Sequence, residues 1–220
     1  MPDPPVALAA LVLAAGSSTR MGANKLLLEM EGETLVRRAV RAAMDSGVDR
    51  VVVVLGHDEP RMRAALEGAV CTIVVNPDHA RGMGTSLRTG VRHVSADAVL
   101  IVLADMPLVT AAMIAGIAER YRVTRTPVVV SQYGDVQPSI PLVAAVQPNI
   151  SSVAAVIAPP ILFARALFPE LLSIGDGEGA KDVARRHLHE AEVVNWPREA
   201  SRDVDLPADY DAVRARRAGD

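Results

Sequence analysis

Between Leu11 and Lys25 the chain reads Leu-Val-Leu-Ala-Ala-Gly-Ser-Ser-Thr-Arg-Met-Gly-Ala-Asn-Lys, and no other stretch constrains the fold as tightly. An unbroken apolar run stops at Gly16, small hydroxyl residues and Arg20 follow, and Lys25 opens a new apolar-periodic segment. That order predicts a buried strand, an anion-binding loop and a helix. Backbone N–H groups around Gly16, Ser17 and Ser18 can face a phosphate chain, while Arg20 and Lys25 neutralise it, as a bound nucleoside triphosphate requires. Two familiar phosphate loops are excluded by spacing. Ala23 and Asn24 separate Gly22 from Lys25, so there is no Gly-Lys-Ser/Thr ending, and Ser18 occupies the second glycine position of a dinucleotide fingerprint.

Half of the 220 residues are hydrophobic, enough for a sizeable core, and the length suits one α/β unit spanning residues 1–220. A net charge of −3 and 3% aromatic content give neither a basic field nor a stacking platform, so nucleic acid is not an expected partner. The N-terminal Met-Pro-Asp-Pro-Pro lacks the basic region of a secretory signal, and no uninterrupted apolar run reaches membrane-spanning length, so a cytoplasmic location without membrane contact is expected. The single cysteine, Cys71, excludes an intramolecular disulfide or a cysteine metal cage and reads as a core thiol.

Apolar runs at residues 6–15, 50–55, 71–75, 98–103, 127–132 and 192–195 predict strands, and amphipathic patterns at 34–46, 60–66, 87–94, 110–121, 163–172 and 181–190 predict helices. The alternation implies a single Rossmann-like three-layer α/β/α domain with a mostly parallel central sheet, and right-handed crossovers gather the strand ends on one edge. On that edge Gly82-Met-Gly-Thr-Ser-Leu87 forms a second glycine-rich loop. Asp105, directly after an apolar strand and two residues before Pro107, is placed for Mg²⁺ ligation beside phosphates, because Thr110 already serves as the next helix cap. Asp203 and Asp205 alternate along an extended stretch, so at most one of them can join Asp105 at a metal.

Three features stay open at this level. Residues 175–181, Gly-Asp-Gly-Glu-Gly-Ala-Lys, read either as a flap carrying Lys181 to a ligand or as a solvated turn. Residues 138–158 form an almost uncharged insertion that reads either as a hairpin at an oligomer interface or as an extra buried element, leaving the oligomeric state undetermined. The five histidines are scattered; His57, directly after a strand end, is the one placed near a ligand edge.

Taken together, the stretch from Leu13 to Leu28, Gly82 to Leu87, Leu103-Ala-Asp-Met-Pro107, Pro160-Ile-Leu-Phe163, the run ending in Ala180-Lys181 and Asp205-Leu-Pro-Ala-Asp209 closely resemble the nucleotidyltransferases that make the dinucleotide form of the molybdenum cofactor, the cytidylyltransferases above all. The resemblance implies a Mg²⁺-dependent transfer of CMP from CTP to molybdopterin with release of pyrophosphate, and a molybdenum hydroxylase as recipient of the product. Leu13, Ala14, Ala15, Gly16, Ser17, Ser18, Arg20, Lys25, Gly82 and Ser86 would bind the nucleotide. Arg20, Lys25 and Asp105 would carry catalysis, Asp105 and Asp205 the metal, and Met106, Pro107 and Lys181 the acceptor. Leu206 stands where that family usually has Thr. Related guanylyltransferases carry Gly-Gly at the positions of Ala15 and Gly16, which implies cytosine here. The alternatives are the same scaffold using GTP or acting on sugar or isoprenoid phosphates, and a non-catalytic chaperone that inserts finished cofactor. Retention of Arg20, Lys25, Asp105 and Asp205 together argues against the chaperone.

Overall fold

A computed structural model of the chain describes residues 6–16, 24–134, 156–204 and 209–210. Its centre is a seven-stranded sheet formed by β1 (Leu8–Ala14), β4 (Arg50–Leu55), β5 (Thr72–Val75), β6 (Ala98–Leu103), β7 (Val128–Gly134), β8 (Val156–Ala164) and β9 (Glu192–Pro197) in the order β5-β4-β1-β6-β8-β7-β9. Only β8 runs antiparallel, wedged between β6 and β7. A two-stranded ribbon, β2 (Glu29–Met30) and β3 (Glu33–Thr34), stands apart from it.

All seven residues of β1 are buried, and they divide by parity. Leu8, Ala10, Val12 and Ala14 enter one core cluster, with Val36 and Val40 of α1 (Leu35–Met44), Met62 of α2 (Glu59–Ala65), and Ile114 and Ile117 of α4 (Ala111–Thr124). Ala9, Leu11 and Leu13 enter the other, with Leu87 and Val91 of α3 (Met83–Val91), Leu171 of α5 (Phe168–Ser173), and Val183 and Ala184 of α6 (Ala180–Arg186). Period-two side chains on a strand covered by helices on both faces produce this division, and they explain why the run is continuously apolar. The expected α/β fold with its mostly parallel sheet is therefore present. Helices α1 and α4 start at Thr34 and Thr110, whose hydroxyls accept from the Arg37 and Met113 amides.

Four elements depart from the sequence reading. The segment opened by Lys25 is a three-residue 3-10 turn followed by the β2–β3 ribbon, and the helix expected after the loop starts only at Leu35. Helix α3 begins at Met83, four residues before Leu87, so the second glycine-rich loop is largely the first turn of a helix. Phe163 lies in β8 rather than in a helix, and the following helix starts only at Phe168. β8 also takes up residues 156–158 of the insertion, whose remainder lies outside the described residues. Pro159 and Pro160 are tolerated in this central strand because the β7 register jumps from Val130↔Ile161 to Ser131↔Ala158. Both prolines fall in the bulge, where the ladder needs no N–H donor. Their carbonyls accept instead from the Tyr133 and Ser131 hydroxyls.

Candidate functional site

Because six strands are parallel, the carboxyl ends of β1, β4, β5, β6, β7 and β9 share one edge, where open α/β sheets place ligands. Leaving β1, Leu13 and Ala14 are buried, and the Leu13 carbonyl accepts from the Ala104 amide at 3.2 Å. These two residues therefore offer only backbone to a ligand. Ala15 is buried and Gly16 exposed in open space. Ser17, Ser18 and Arg20 lie outside the described residues. The chain is described again at Asn24, whose carbonyl oxygen caps a short 3-10 turn, Lys25–Leu27, by accepting from the Leu26 amide at 3.1 Å. Its Nδ2 atom is buried with no hydrogen-bond partner among the described residues.

That turn points Lys25 across to the end of β6. The Lys25 Nζ atom lies 2.8 Å from Asp105 Oδ2, with the lysine side chain mostly buried and a quarter of the aspartate side chain exposed. Asp105 stands in the turn after β6, and its carbonyl receives the Val204 amide at 3.0 Å. Asp205 itself lies outside the described residues, although its neighbour Val204 is thus tied to Asp105. Met106 and Pro107 are buried, and Met106 packs in the core beside Val109 and Met113. The methionine side chain thus supports the turn from below rather than facing solvent.

The nucleotide half of the edge is tight. A Cβ on Gly56, at the end of β4, would come within 2.6 Å of His79 Cβ and 2.9 Å of Ala15 Cβ, so the loops after β1, β4 and β5 meet at this glycine. The His57 amide donates to the Ala15 carbonyl at 3.4 Å, and the His57 and His79 rings are 6.1 Å apart. The His79 Nδ1 atom is buried with no hydrogen-bond partner among the described residues. Asn76, fully buried after β5, was not among the residues singled out in the sequence. Its amide nitrogen donates to the Thr85 and Ser86 hydroxyls at 2.8 and 2.9 Å, and its Oδ1 accepts from the Asp78 amide. The signal for it was present: an amide side chain directly after an apolar strand and before Pro77.

Ser86 is consequently buried and bonded to Asn76, while Gly82 is the N-cap of α3 at φ +139°. The Gly84 amide is already given to the Asp176 carbonyl at 2.9 Å and the Thr85 amide to the Gly82 carbonyl at 3.2 Å. The run 175–181 is neither a free flap nor a solvated turn. It packs against α3, with a Cβ on Gly84 falling 2.0 Å from the Gly175 carbonyl oxygen. Lys181 ends up exposed in the first turn of α6. Asp176 bridges Arg88 at 2.5 Å and Arg81 at 2.8 Å, and these guanidiniums, Arg88 foremost, hold its carboxyl below the ordinary carboxylate range.

No cluster of three or more His, Cys, Asp or Glu capable of holding a metal occurs among the described residues. Asp105 alone suits a divalent cation that takes one or two carboxylates and fills its shell from substrate phosphates and water, as Mg²⁺ does. No helix among the described residues is long and apolar enough to cross a membrane.

Comparison with known proteins agrees with this geometry. Residues 10–191 match the family model described as the MobA-like NTP transferase domain. Purine catabolism protein PucB of Bacillus subtilis (strain 168) is 29% identical over 94% of this chain and 96% of its own length. A probable molybdenum cofactor guanylyltransferase of Opitutus terrae is 36% identical over 48% of this chain and 52% of its own. Several bifunctional GlmU proteins match about half of the chain; in that of Sorangium cellulosum the match covers only 25% of the relative's length. Among solved structures, a nucleotidyl transferase from Methanothermobacter superposes with TM-score 0.77 at 26% identity, covering 96% of this chain and 97% of that one. Rv0371c of Mycobacterium tuberculosis superposes with TM-score 0.76 at 23% identity, a likeness of fold. The motif around β1, the pairing of Lys25 with Asp105 and the match over residues 10–191 converge, and the chain belongs to the MobA-like NTP transferase family.

Proposed function

We propose that this nucleotidyltransferase transfers CMP from CTP to the terminal phosphate of molybdopterin. The observation that carries the reading is the Lys25–Asp105 ion pair at the mouth of the phosphate loop. In the free protein the two opposite charges lie in contact. A triphosphate arriving with its cation offers each of them a new partner of opposite sign, so the ion pair can open as the ligand binds.

An acceptor phosphate monoester is already anionic near neutral pH, so no protein base has to remove a proton. One of its oxygens attacks the α-phosphorus of CTP, forming the new P–O bond of the dinucleotide. The bond from the α-phosphorus to the bridging oxygen breaks, and pyrophosphate departs with that oxygen and the electron pair. Lys25 and Arg20 bind and orient the phosphates, and catalysis rests on positioning and charge neutralisation. Asp105, with Asp205 as its proposed partner, would hold Mg²⁺, which when bound neutralises charge on the triphosphate. The tie between Val204 and Asp105 supports pairing these two carboxylates.

Cytosine is assigned through Ala15, whose buried methyl group narrows the space beside Gly56 and His79. Acceptor contacts are assigned to Lys181 and to the turn of Met106 and Pro107, and a molybdenum hydroxylase is the proposed recipient. Guanylyl transfer on the same scaffold is the second reading, favoured by the guanylyltransferase relative from Opitutus. Pyrophosphate release measured with each of the four ribonucleoside triphosphates, with and without molybdopterin and in Mg²⁺ or Mn²⁺, separates these readings. Release with CTP that requires molybdopterin is expected. A preference for GTP overturns the role of Ala15, and release that ignores molybdopterin overturns the acceptor.

A further inference from the structure

The first turn of α3 is gripped from two sides. On one side Asn76, at the end of β5, fixes the Thr85 and Ser86 hydroxyls. On the other, the loop between α5 and α6 lays its backbone against Gly82 and Gly84, taking the Gly84 amide on the Asp176 carbonyl. Added Cβ atoms at these glycines would lie 2.2 Å from the Asp176 oxygen and 2.0 Å from the Gly175 oxygen. This contact exists only because both positions lack a side chain.

The Asp176 carboxylate locks the contact. Its two oxygens divide between Arg88, which also donates to the Ile174 carbonyl at 2.5 Å, and Arg81 in the segment leading into α3. Behind it, Glu178 accepts from the Gly175 amide at 2.6 Å and pairs with Arg186, which in turn pairs with Glu170 of α5. The loop is therefore held to α5 and α6 at its base and to α3 at its tip. The partners follow strands that stand apart in the sheet, α3 after β5 at one end and α5 and α6 after β8 beyond β6, and they pack together on one face. Asp176 thus ties the segment that carries Asn76 and His79 to the loop between α5 and α6.

We propose that Asp176 is a positioning residue for nucleotide binding: by bridging Arg81 and Arg88 it fixes the first turn of α3 against the α5–α6 loop, and so sets the shape of the nucleotide half of the site. The proposal rests on the reading that this turn faces the nucleotide. The Arg81 arm of this bridge is exposed and the Arg88 arm only partly buried, a setting in which ion pairs contribute modestly to global stability. Loss of this one therefore acts locally, on the turn it holds.

The test uses whichever ribonucleoside triphosphate the full chain binds most tightly, so it does not depend on the base or the acceptor. Nucleotide dissociation constants, amide hydrogen exchange at residues 83–87 and thermal midpoints are compared for the unaltered protein, Asp176→Asn and Asp176→Glu. Asp176→Asn is expected to raise the nucleotide Kd about tenfold and to speed exchange at residues 83–87 by at least about tenfold, with the thermal midpoint nearly unchanged. Asp176→Glu, which keeps the charge, should recover most of the affinity. Faster exchange with unchanged Kd overturns the proposal by reducing Asp176 to a structural clamp, and unchanged exchange overturns it by removing the clamp itself. A preference for GTP, or turnover without molybdopterin, would count against the proposed reaction and leave this comparison intact.

Discussion

The Lys25 ammonium and the Asp105 carboxylate, 80 residues apart in the chain, meet at 2.8 Å on the carboxyl edge of the sheet. Neither charge is fully exposed, so their contact offsets part of the cost of holding both away from water. Asp105→Asn keeps the shape and removes the charge to which the proposed cation site is assigned. Turnover should fall by roughly 10²–10³ or more, the scale of losing an electrostatic stabiliser in a catalytic site, while the thermal midpoint moves by only about 3 °C. Steady-state kinetics beside a melting curve decide it; near-normal turnover would remove Asp105 from the metal site.

Asn76 supports two buried hydroxyls with one amide group. Asn76→Ala leaves Thr85 and Ser86 short of a donor in a buried pocket, at a cost of about 2–3 kcal/mol. Urea unfolding of the variant should show that loss with an unchanged m-value. Nucleotide affinity should fall with it, because the same amide orders the first turn of α3.

Gly84→Ala sets two effects against each other. Helix propensity favours alanine by about 1 kcal/mol. The new methyl group, however, would meet backbone oxygen at 2.0 Å, and backbone cannot swing aside as the end of a side chain can. The clash wins, and a net destabilisation of about 1–3 kcal/mol is expected. Limited proteolysis should cut the variant faster within residues 174–179, where the loop is displaced from α3. A variant as stable and as resistant as the unaltered protein would show that the loop and the turn move independently.

His187 is clamped between Glu190 at 2.7 Å and Glu170 at 2.6 Å. Hydrogen bonds to Glu190 and then Glu170 raise its pKa above the ordinary 6.5, so the folded state holds the proton more tightly than the unfolded chain. That stabilisation is complete below about pH 6.5 and disappears as pH rises through the raised folded value. For Glu170, burial pushes the pKa up, but hydrogen bonds from His187 and Arg186 outweigh it and hold the pKa below 4.5. Its contribution is present above 4.5 and is lost as pH falls through the lower folded value. Thermal midpoints of the unaltered protein should therefore decline as pH rises above about 6.5, and His187→Gln should flatten that decline. An equal slope in both proteins would dismiss the clamp.

The helices and strands of the nucleotide half were legible because their periodicity is strong. The buried run of β1 and the cap at Thr110 follow directly from residue order, while Thr34, within the amphipathic 34–46 pattern, caps the helix rather than joining it. The start of α3 was not legible, because a first turn containing Gly82 and Gly84 has the composition of a loop, and only the docked α5–α6 loop explains those glycines. β8 was hidden for a related reason. Two adjacent prolines argue against a central strand unless a bulge receives them, and the bulge is set by pairing with β7.

Within the site, the sequence determined which residue types stand at strand ends: Gly16, Asn76, Lys25 and Asp105 each follow or face a buried apolar run, and a strand's end is a local property. It also narrowed the kind of phosphate loop, since the spacing from Gly16 to Lys25 excludes the two familiar ones. Only the tertiary structure decided that Lys25 pairs with Asp105, that Val204 bonds to Asp105, and that Asp176 of the α5–α6 loop bridges Arg81 and Arg88 at α3. These relationships join elements from different parts of the chain, and the strand order brings them together. Local patterning fixes each strand and helix, but strand order arises from how both faces of the sheet are covered at once, which no local stretch encodes.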